Sequence, residues 1–294
     1  ANMLANEMYL DSADIRKNVV SLAKMLGYTP TSARASNATL SVKVNSVPST
    51  TTSLTMDKGT VFTTSVNGAT YQLVTNQSYA IQPTAGVFQF DNVNIFEGTL
   101  VTFKYTVDSN DVDQKFIIPS SNADTSTLKV SIQNSASDTT TEVYSLANSY
   151  SGLTDISKSY FLQEGVDERY EVYFGDGVLG KKPVDGNIII LEYIVTNKTE
   201  ANGASAFTLS GDIDGFSDVT ITTTSNAANG SEPQTKESIR YNAPLQYTAQ
   251  DRAVTSKDYE TIVKSVYANA QSVSAWGGED DETPQYGVVK IAIK

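Results

Sequence analysis

The chain contains neither cysteine nor histidine in 294 residues. Without cysteine there is no disulfide framework, thiolate nucleophile or cysteine metal cage. Without histidine as well, the Ser-His-Asp and Cys-His machineries and the usual transition-metal sites are excluded. Only carboxylate, lysine, tyrosine or hard-metal chemistry is left. Positive charge is also scarce: 21 Lys and Arg stand against 33 Asp and Glu, for a net charge of −12 and a pI near 4.5. A nucleic-acid partner needs a basic footprint to displace counterions, and none is present. The acidic clusters Asp108 to Asp113 and Glu279 to Glu282 read as solvated loops. No apolar run approaches the roughly 18 residues of a membrane helix, and no basic-then-apolar signal opens the chain, so no membrane partner is expected. The sequence opens at Ala1 in a helical pattern and stops at Lys294 in a strand pattern, which leads us to expect a segment of a longer polypeptide.

What is present commits most clearly to a shape between Tyr170 and Val195. Tyr170, Val172 and Phe174 alternate with Glu171 and Tyr173, the period of a strand. Asn187 to Val195 reads as a second strand, apolar on both faces apart from Glu192, so both faces require cover. Between them Gly175, Asp176, Gly177, Gly180, Asp185 and Gly186 supply turn chemistry, and a decorated β-hairpin is expected. The same glycines spell G-x-G-x-x-G. A dinucleotide site would require the third glycine to open a helix, whereas Lys181, Lys182, Pro183 and then a β-branched strand follow; no cofactor is expected.

In chain order, Ala1 to Tyr9 reads as one helix and a second runs to Leu26, capped by Asp11 or Ser12, with Ile15, Val19, Leu22 and Leu26 as its apolar stripe. Gly27 and Pro30 end it. Short strands follow at Ala38 to Val44, Thr60 to Ser65, Tyr71 to Thr75, Leu100 to Val107, Phe116 to Ile118, Leu128 to Gln133 and Val143 to Leu146, punctuated by Lys58-Gly59, Asn67-Gly68 and Ser151-Gly152. Asp212-Ile213-Asp214-Gly215 opens like a calcium loop, but Thr223 stands where a bidentate glutamate is needed, so an Asx-turn is the expectation and no metal is assigned. Thr235 to Arg240 begins a short helix that Pro244 should end. After the extended Arg252 to Thr255, Thr255 or Ser256 caps a helix with Asp258 near its start and Tyr259 on its buried side. Gln271 to Trp276 and Tyr286 to Ile293 read as strands.

The expected fold is therefore α+β and β-rich: N-terminal helices over residues 1–35, an antiparallel β-sandwich-like region over 36–232, and the start of a small, truncated α/β domain over 233–294.

Phe174-Gly175-Asp176-Gly177 with Gly180, then Gly186-Asn187, Ala201-Asn202-Gly203, Asn242-Ala243-Pro244 and Arg252 to Glu260 together resemble the baseplate J-like family, and within it the baseplate wedge subunits of contractile-tailed bacteriophages. Leu10 to Ala13, Leu26 to Pro30 and Lys58 to Phe62, which holds Gly59, are similar to the same subunits. The resemblance implies a structural subunit of the tail baseplate wedge, assembled in the host cytoplasm. It would form the ring around the central hub, pair with copies of itself, contact neighbouring wedge proteins and take part in the rearrangement that triggers sheath contraction. It implies no catalytic residues. The residues carrying it are Gly59, Phe174, Gly175, Asp176, Gly177, Gly180, Gly186, Asn202, Gly203, Pro244, Arg252, Thr255, Asp258 and Tyr259.

Two other classes stay open on residues alone. Tyr71, Tyr79, Phe88 and Phe90 could stack on sugars in an adhesin or carbohydrate-binding module, or pack a core. Glu164, Asp167, Glu168 and Glu171 could supply a glycosidase pair, or form a charged turn. Val178 and Leu179, held between glycines, could be a knob for a protein partner or part of the sheet packing, and no small-molecule substrate is expected.

Overall fold

The computed structural model describes residues 6–111, 113–147, 152–249, 252–266, 270 and 272–294. The chain divides into two compact units, Thr31–Pro233 and Ala1–Pro30 with Gln234–Lys294.

The larger unit is built from strands β1 (Asn37–Val44), β2 (Leu54–Met56), β3 (Val61–Val66), β4 (Ala69–Thr75), β5 (Tyr79–Ile81), β6 (Phe88–Glu97), β7 (Thr99–Thr106), β8 (Phe116–Ile117), β9 (Ala123–Gln133), β10 (Thr141–Leu146), β11 (Ser159–Glu164), β12 (Tyr170–Phe174), β13 (Ile188–Val195), β14 (Thr208–Ser210) and β15 (Val219–Ala228). One sheet runs β14-β3-β4-β6-β1-β15 and a second β7-β13-β9-β10-β11-β12-β8, with β2 and β5 as a small extra pair. Each large sheet has its own core. Leu40, Val42, Phe62, Leu73, Phe90, Val93 and Ile95 close the first together with Leu54 and Met56 from the small pair. Val130, Ile132, Val172, Ile189, Leu191 and Tyr193 close the second.

A sandwich would bury both inner faces against one another in one shared core. Instead, two cores form inside two curved half-barrels, which corrects the sandwich-like expectation. The pairing is not wholly antiparallel either, because β10 and β11 run parallel through Ser145↔Ser159 and Leu146↔Tyr160.

The smaller unit carries helices α1 (Arg16–Met25), α2 (Lys236–Ala249) and α3 (Ser256–Val266), then strands β16 (Val273–Gly277) and β17 (Val289–Ile293). Val19, Val20 and Ala23 of α1 bury against Ile239 and Ala243 of α2. The expected pair of N-terminal helices is not shown: the second is present as α1, whereas residues 1–5 of the first lie outside the described residues, Asn6 is helical, and Glu7 to Tyr9 form a turn and bend. Nor do Asp11 or Ser12 cap α1. Its N-cap is Ile15, and the carboxylate serving its start is that of Glu7, which accepts from the Asp14 and Ile15 amides and from Asn18 Nδ2.

The expected α/β domain is also absent. β16 and β17 form a two-stranded antiparallel pair, so no parallel β-α-β unit is present among the described residues; Gln271, which the strand reading included, lies outside them. Pro244 does not end its helix but sits inside α2. Proline in a helix interior costs about 3 kcal/mol, and burial of Ile239 and Ala243 on α1 supplies packing on the same helix that offsets it.

Candidate functional site

The two half-barrels of the larger unit meet at a corner. The chain passes from β6 into β7 through Gly98, whose φ is +117° and whose absent Cβ would lie 2.1 Å from the Val195 carbonyl oxygen. No L-side chain fits there. Ala35, Val74 and Ile194 bury together at this corner, with Val61, Phe96 and Leu100 against them.

Two buried carboxylates bind the sheets to each other. Glu97, at the end of β6, accepts from the Thr196 hydroxyl (2.6 Å), the Asn197 amide (2.9 Å) and Asn197 Nδ2 (2.8 Å), just beyond β13. Asp124, at the start of β9, accepts from the Ala35 amide (2.9 Å) ahead of β1 and from the Ser126 amide and hydroxyl. Every donor named here is neutral, and these hydrogen bonds stabilise the buried carboxylates. Lys58 and Glu192 add an ion pair nearer the surface.

Far along the second sheet lies the glycine-rich stretch. It is not a hairpin. In the sheet order β12 and β13 are separated by β11, β10 and β9, so residues 175–187 cross the ends of three strands. The topology follows from demand for partners: β12 is flanked by β11 and β8, and β13 by β9 and β7. Alternation along each strand shows a face, not a neighbour.

The strap is tied down as it crosses. Asp176 accepts from the Val178 and Leu179 amides, both at 2.9 Å, and these bonds hold its carboxyl below the usual aspartate value. The Gly180 and Lys181 amides donate to the carbonyls of Thr154 and Ser157 between β10 and β11, and Lys181 and Lys158 both pair with Glu142 on β10. Asn187 Nδ2 then reaches the Asn134 carbonyl at the end of β9. Gly175 is required by contact: a Cβ would lie 2.2 Å from the Leu179 carbonyl oxygen and 2.5 Å from that of Gly180. No helix follows Gly180, so the G-x-G-x-x-G spacing has no helix N-terminus to offer a pyrophosphate.

On this fixed loop Val178 is 71% exposed and Leu179 42% exposed, with Ile156 (75%) on the loop that Gly180 bonds and Val184 (64%) further along.

The other motif residues serve separate corners. Gly59 lies in the turn before β3 and donates to Thr75. Phe174 packs its ring edge-on against Phe116 and Tyr144. Gly177 and Gly186 take positive φ within the strap. Asn202 bridges Ser36 and Gly230, and the Gly203 amide donates to Ala227. In the smaller unit Thr255 is the cap of α3: its amide donates to Asp258 at 2.8 Å while its hydroxyl accepts from the Asp258 amide at 3.3 Å, a reciprocal box. Arg252 lies just ahead of this cap, and Tyr259 is half-buried in α3.

Phe88 and Phe90 are core residues, and Tyr79 packs against that core with its hydroxyl accepting from the Asn94 amide. Of the four rings that could have met a sugar, Tyr71 lines an open cavity of about 610 Å³, where its hydroxyl donates to Glu200. Of the four carboxylates, Asp167 and Glu171 line one small cavity of about 130 Å³ together with Lys115 and Arg169. Glu164 is opposite Tyr170 and Glu171 opposite Gln163, adjacent positions in the ladder, so they point to opposite faces. Asp212 accepts from the Gly215 amide three residues on, Asp214 accepts from the distant Thr55 amide, and no metal-binding group of carboxylates occurs among the described residues. Sequence reasoning missed Glu97 and Asp124. A glutamate before glycine at the end of a hydrophobic strand, Phe96-Glu97-Gly98, was the available signal.

A family model described as "Baseplate structural protein gp6, C-terminal domain I" matches residues 255–294. "Baseplate wedge protein gp6" of Enterobacteria phage T4 is 25% identical over 321 residues, covering 100% of this chain and 47% of its own length. The chain thus spans about half of the curated relative it matches. A solved structure described as the cryo-EM structure of the anti-feeding prophage baseplate, 6-fold symmetrised, covers 88% of this chain and 48% of its own, at 9% identity and a TM-score of 0.32, too low to establish a shared fold. The resemblance to baseplate wedge subunits is thereby found along the whole sequence.

Proposed function

We propose that this chain is a structural part of a phage tail baseplate, a segment of a wedge subunit that works by shape and carries out no catalysis. The observation that supports this most is the match to a baseplate wedge protein over the entire chain. The architecture suits the role. Half-barrels welded through buried carboxylates, with loops strapped across strand ends, make a stiff body suited to holding neighbours in register. In the virion it sits in the baseplate, contacts neighbouring wedge proteins, pairs with copies of itself within a ring around the hub, and moves with that ring when the sheath contracts. The strap carrying Val178 and Leu179 is the surface we assign to a protein neighbour, because exposed apolar side chains on a pre-ordered loop lose little freedom when covered.

Cryo-electron microscopy of the intact particle tests the assignment. Density for this chain in the wedges is the expected result, and finding it only in fibres, capsid or neck, or nowhere in the virion, overturns it. Mass measurement of the assembled species, alone and with wedge neighbours, tests the self-pairing; a monomer under both conditions would count against it.

A further inference from the structure

We propose that Asn67 is a site of spontaneous covalent modification, deamidation through a succinimide, and that the fold protects the two other Asn-Gly sequences. Asn67-Gly68, Asn202-Gly203 and Asn229-Gly230 share the dipeptide in which the absence of a side chain on the second residue leaves its backbone nitrogen open to attack. In the reaction the glycine nitrogen bonds to the asparagine Cγ, and the side-chain amide leaves as ammonia. Water then opens the five-membered ring at either carbonyl. The balance is one amide and one water in, one carboxylic acid and one ammonia out, as aspartate or isoaspartate, and no oxidant is involved.

Reaction needs a free glycine N–H and a free asparagine carboxamide, and the three sites differ in both. Asn202 is held on both sides: Oδ1 accepts from the Ser36 hydroxyl (2.8 Å) and the Gly230 amide (3.0 Å), and Nδ2 donates to the Gly230 carbonyl (3.0 Å). Its nucleophile, the Gly203 amide, is committed to the Ala227 carbonyl at 2.7 Å. At the third site the Gly230 amide is the donor to Asn202, and Asn229 Nδ2 donates to Asn37 at 2.8 Å.

Asn67 and Gly68 instead form the two-residue tip between β3 and β4, with Val66 opposite Ala69 and φ of +51° and +83°, a type I′ hairpin in which both central peptides point outward. Both residues are exposed, and among the described residues neither the Asn67 carboxamide nor the Gly68 N–H has a hydrogen-bond partner. Conversion to isoaspartate routes the main chain through Cβ. That extra backbone atom no longer fits a two-residue turn and loosens the Val66–Ala69 end of the sheet.

The test incubates the full folded chain in mildly alkaline buffer made with heavy-oxygen water. Peptides spanning the three sites are quantified by mass spectrometry after acidic digestion, beside a urea-unfolded sample. In urea the three sites should convert at similar rates. In the folded chain Asn67 should lead by roughly tenfold or more, since the tied sites react only from locally opened states. Equal rates at the three sites of the folded chain overturn the proposal, as does an Asn67 slowed by folding as much as Asn202 and Asn229.

Discussion

Replacing Glu97 by leucine puts an apolar side chain of similar bulk at the corner and removes the acceptor of three hydrogen bonds. The Thr196 hydroxyl cannot simply turn away, because its oxygen already accepts from the Lys198 amide at 2.8 Å. Thr196 is buried and Asn197 is exposed, which leaves one donor, the Thr196 hydroxyl, without water to replace the carboxylate. At about 1–3 kcal/mol for a stranded buried donor, the loss is about 1–3 kcal/mol, with the Asn197 amide free to turn to water. The Asn197 carboxamide can rotate toward solvent and adds little. The Lys58–Glu192 pair spans the same two sheets and is the proper control: its side chains are 37% and 22% exposed, and such pairs contribute about 0–1 kcal/mol. Urea unfolding of Glu97→Leu and Lys58→Met, followed by far-UV circular dichroism of the β-structure, compares them directly. Trp276 is in the smaller unit, so its fluorescence reports separately. If Glu97→Leu lowers stability no more than Lys58→Met does, the reasoning about the corner is wrong.

Three shorter predictions concern the strap and the second core. Gly175→Ala should cost at least the roughly 1–3 kcal/mol of an overpacked interior, because the atoms it meets are backbone carbonyls that cannot swing aside; an unchanged thermal midpoint would contradict the contact. The Asp176 carboxyl is held below its ordinary value of 3.8, first by the Leu179 amide and then by that of Val178. A depressed folded value means its contribution is present above pH 3.8 and is lost as the pH falls through the lower folded value, so hydrogen-exchange protection at Val178 and Leu179, measured against the intrinsic rate at each pH, should fall in acid and be low at all pH in Asp176→Ala. Burial pushes Tyr160 from 10.0 to about 12. Its contribution is full below pH 10.0 and falls as the pH rises toward about 12, so absorbance titration should show it ionising late in the folded chain.

How far the sequence could be read depended on whether a feature was local. The strands β1 and β12 announce themselves because period-two alternation needs no knowledge of neighbours, β13 because a short β-branched run is apolar on both faces, and the Thr255–Asp258 box is contained within four residues. The long strand β6 was illegible for a definite reason. Phe88 and Phe90 share one parity while Val93 and Ile95 share the other, because Asn92 takes φ +55° and the register with β1 slips between Leu40 and Val42. A bulge resets the alternation, so a strict period finds two fragments too short to count. Pro244 misled in the opposite direction, where a strong local rule yielded to burial of Ile239 and Ala243.

The glycine-rich stretch shows the same division between what is local and what is not. Its turn chemistry was visible, and its role as a strap was not, because adjacency of β12 to β11 and of β13 to β9 is decided by pairings forty or more residues apart in sequence for the latter. The same holds at the corner. Glu97 looks like any charged strand end until Thr196 and Asn197 arrive from β13, and only then does burying its charge become favourable. A residue whose burial depends on partners that far away has no meaning the local sequence can express. For that reason the corner, rather than the motif glycines, is where substitution should separate a rigid structural body from a loosely joined pair of sheets.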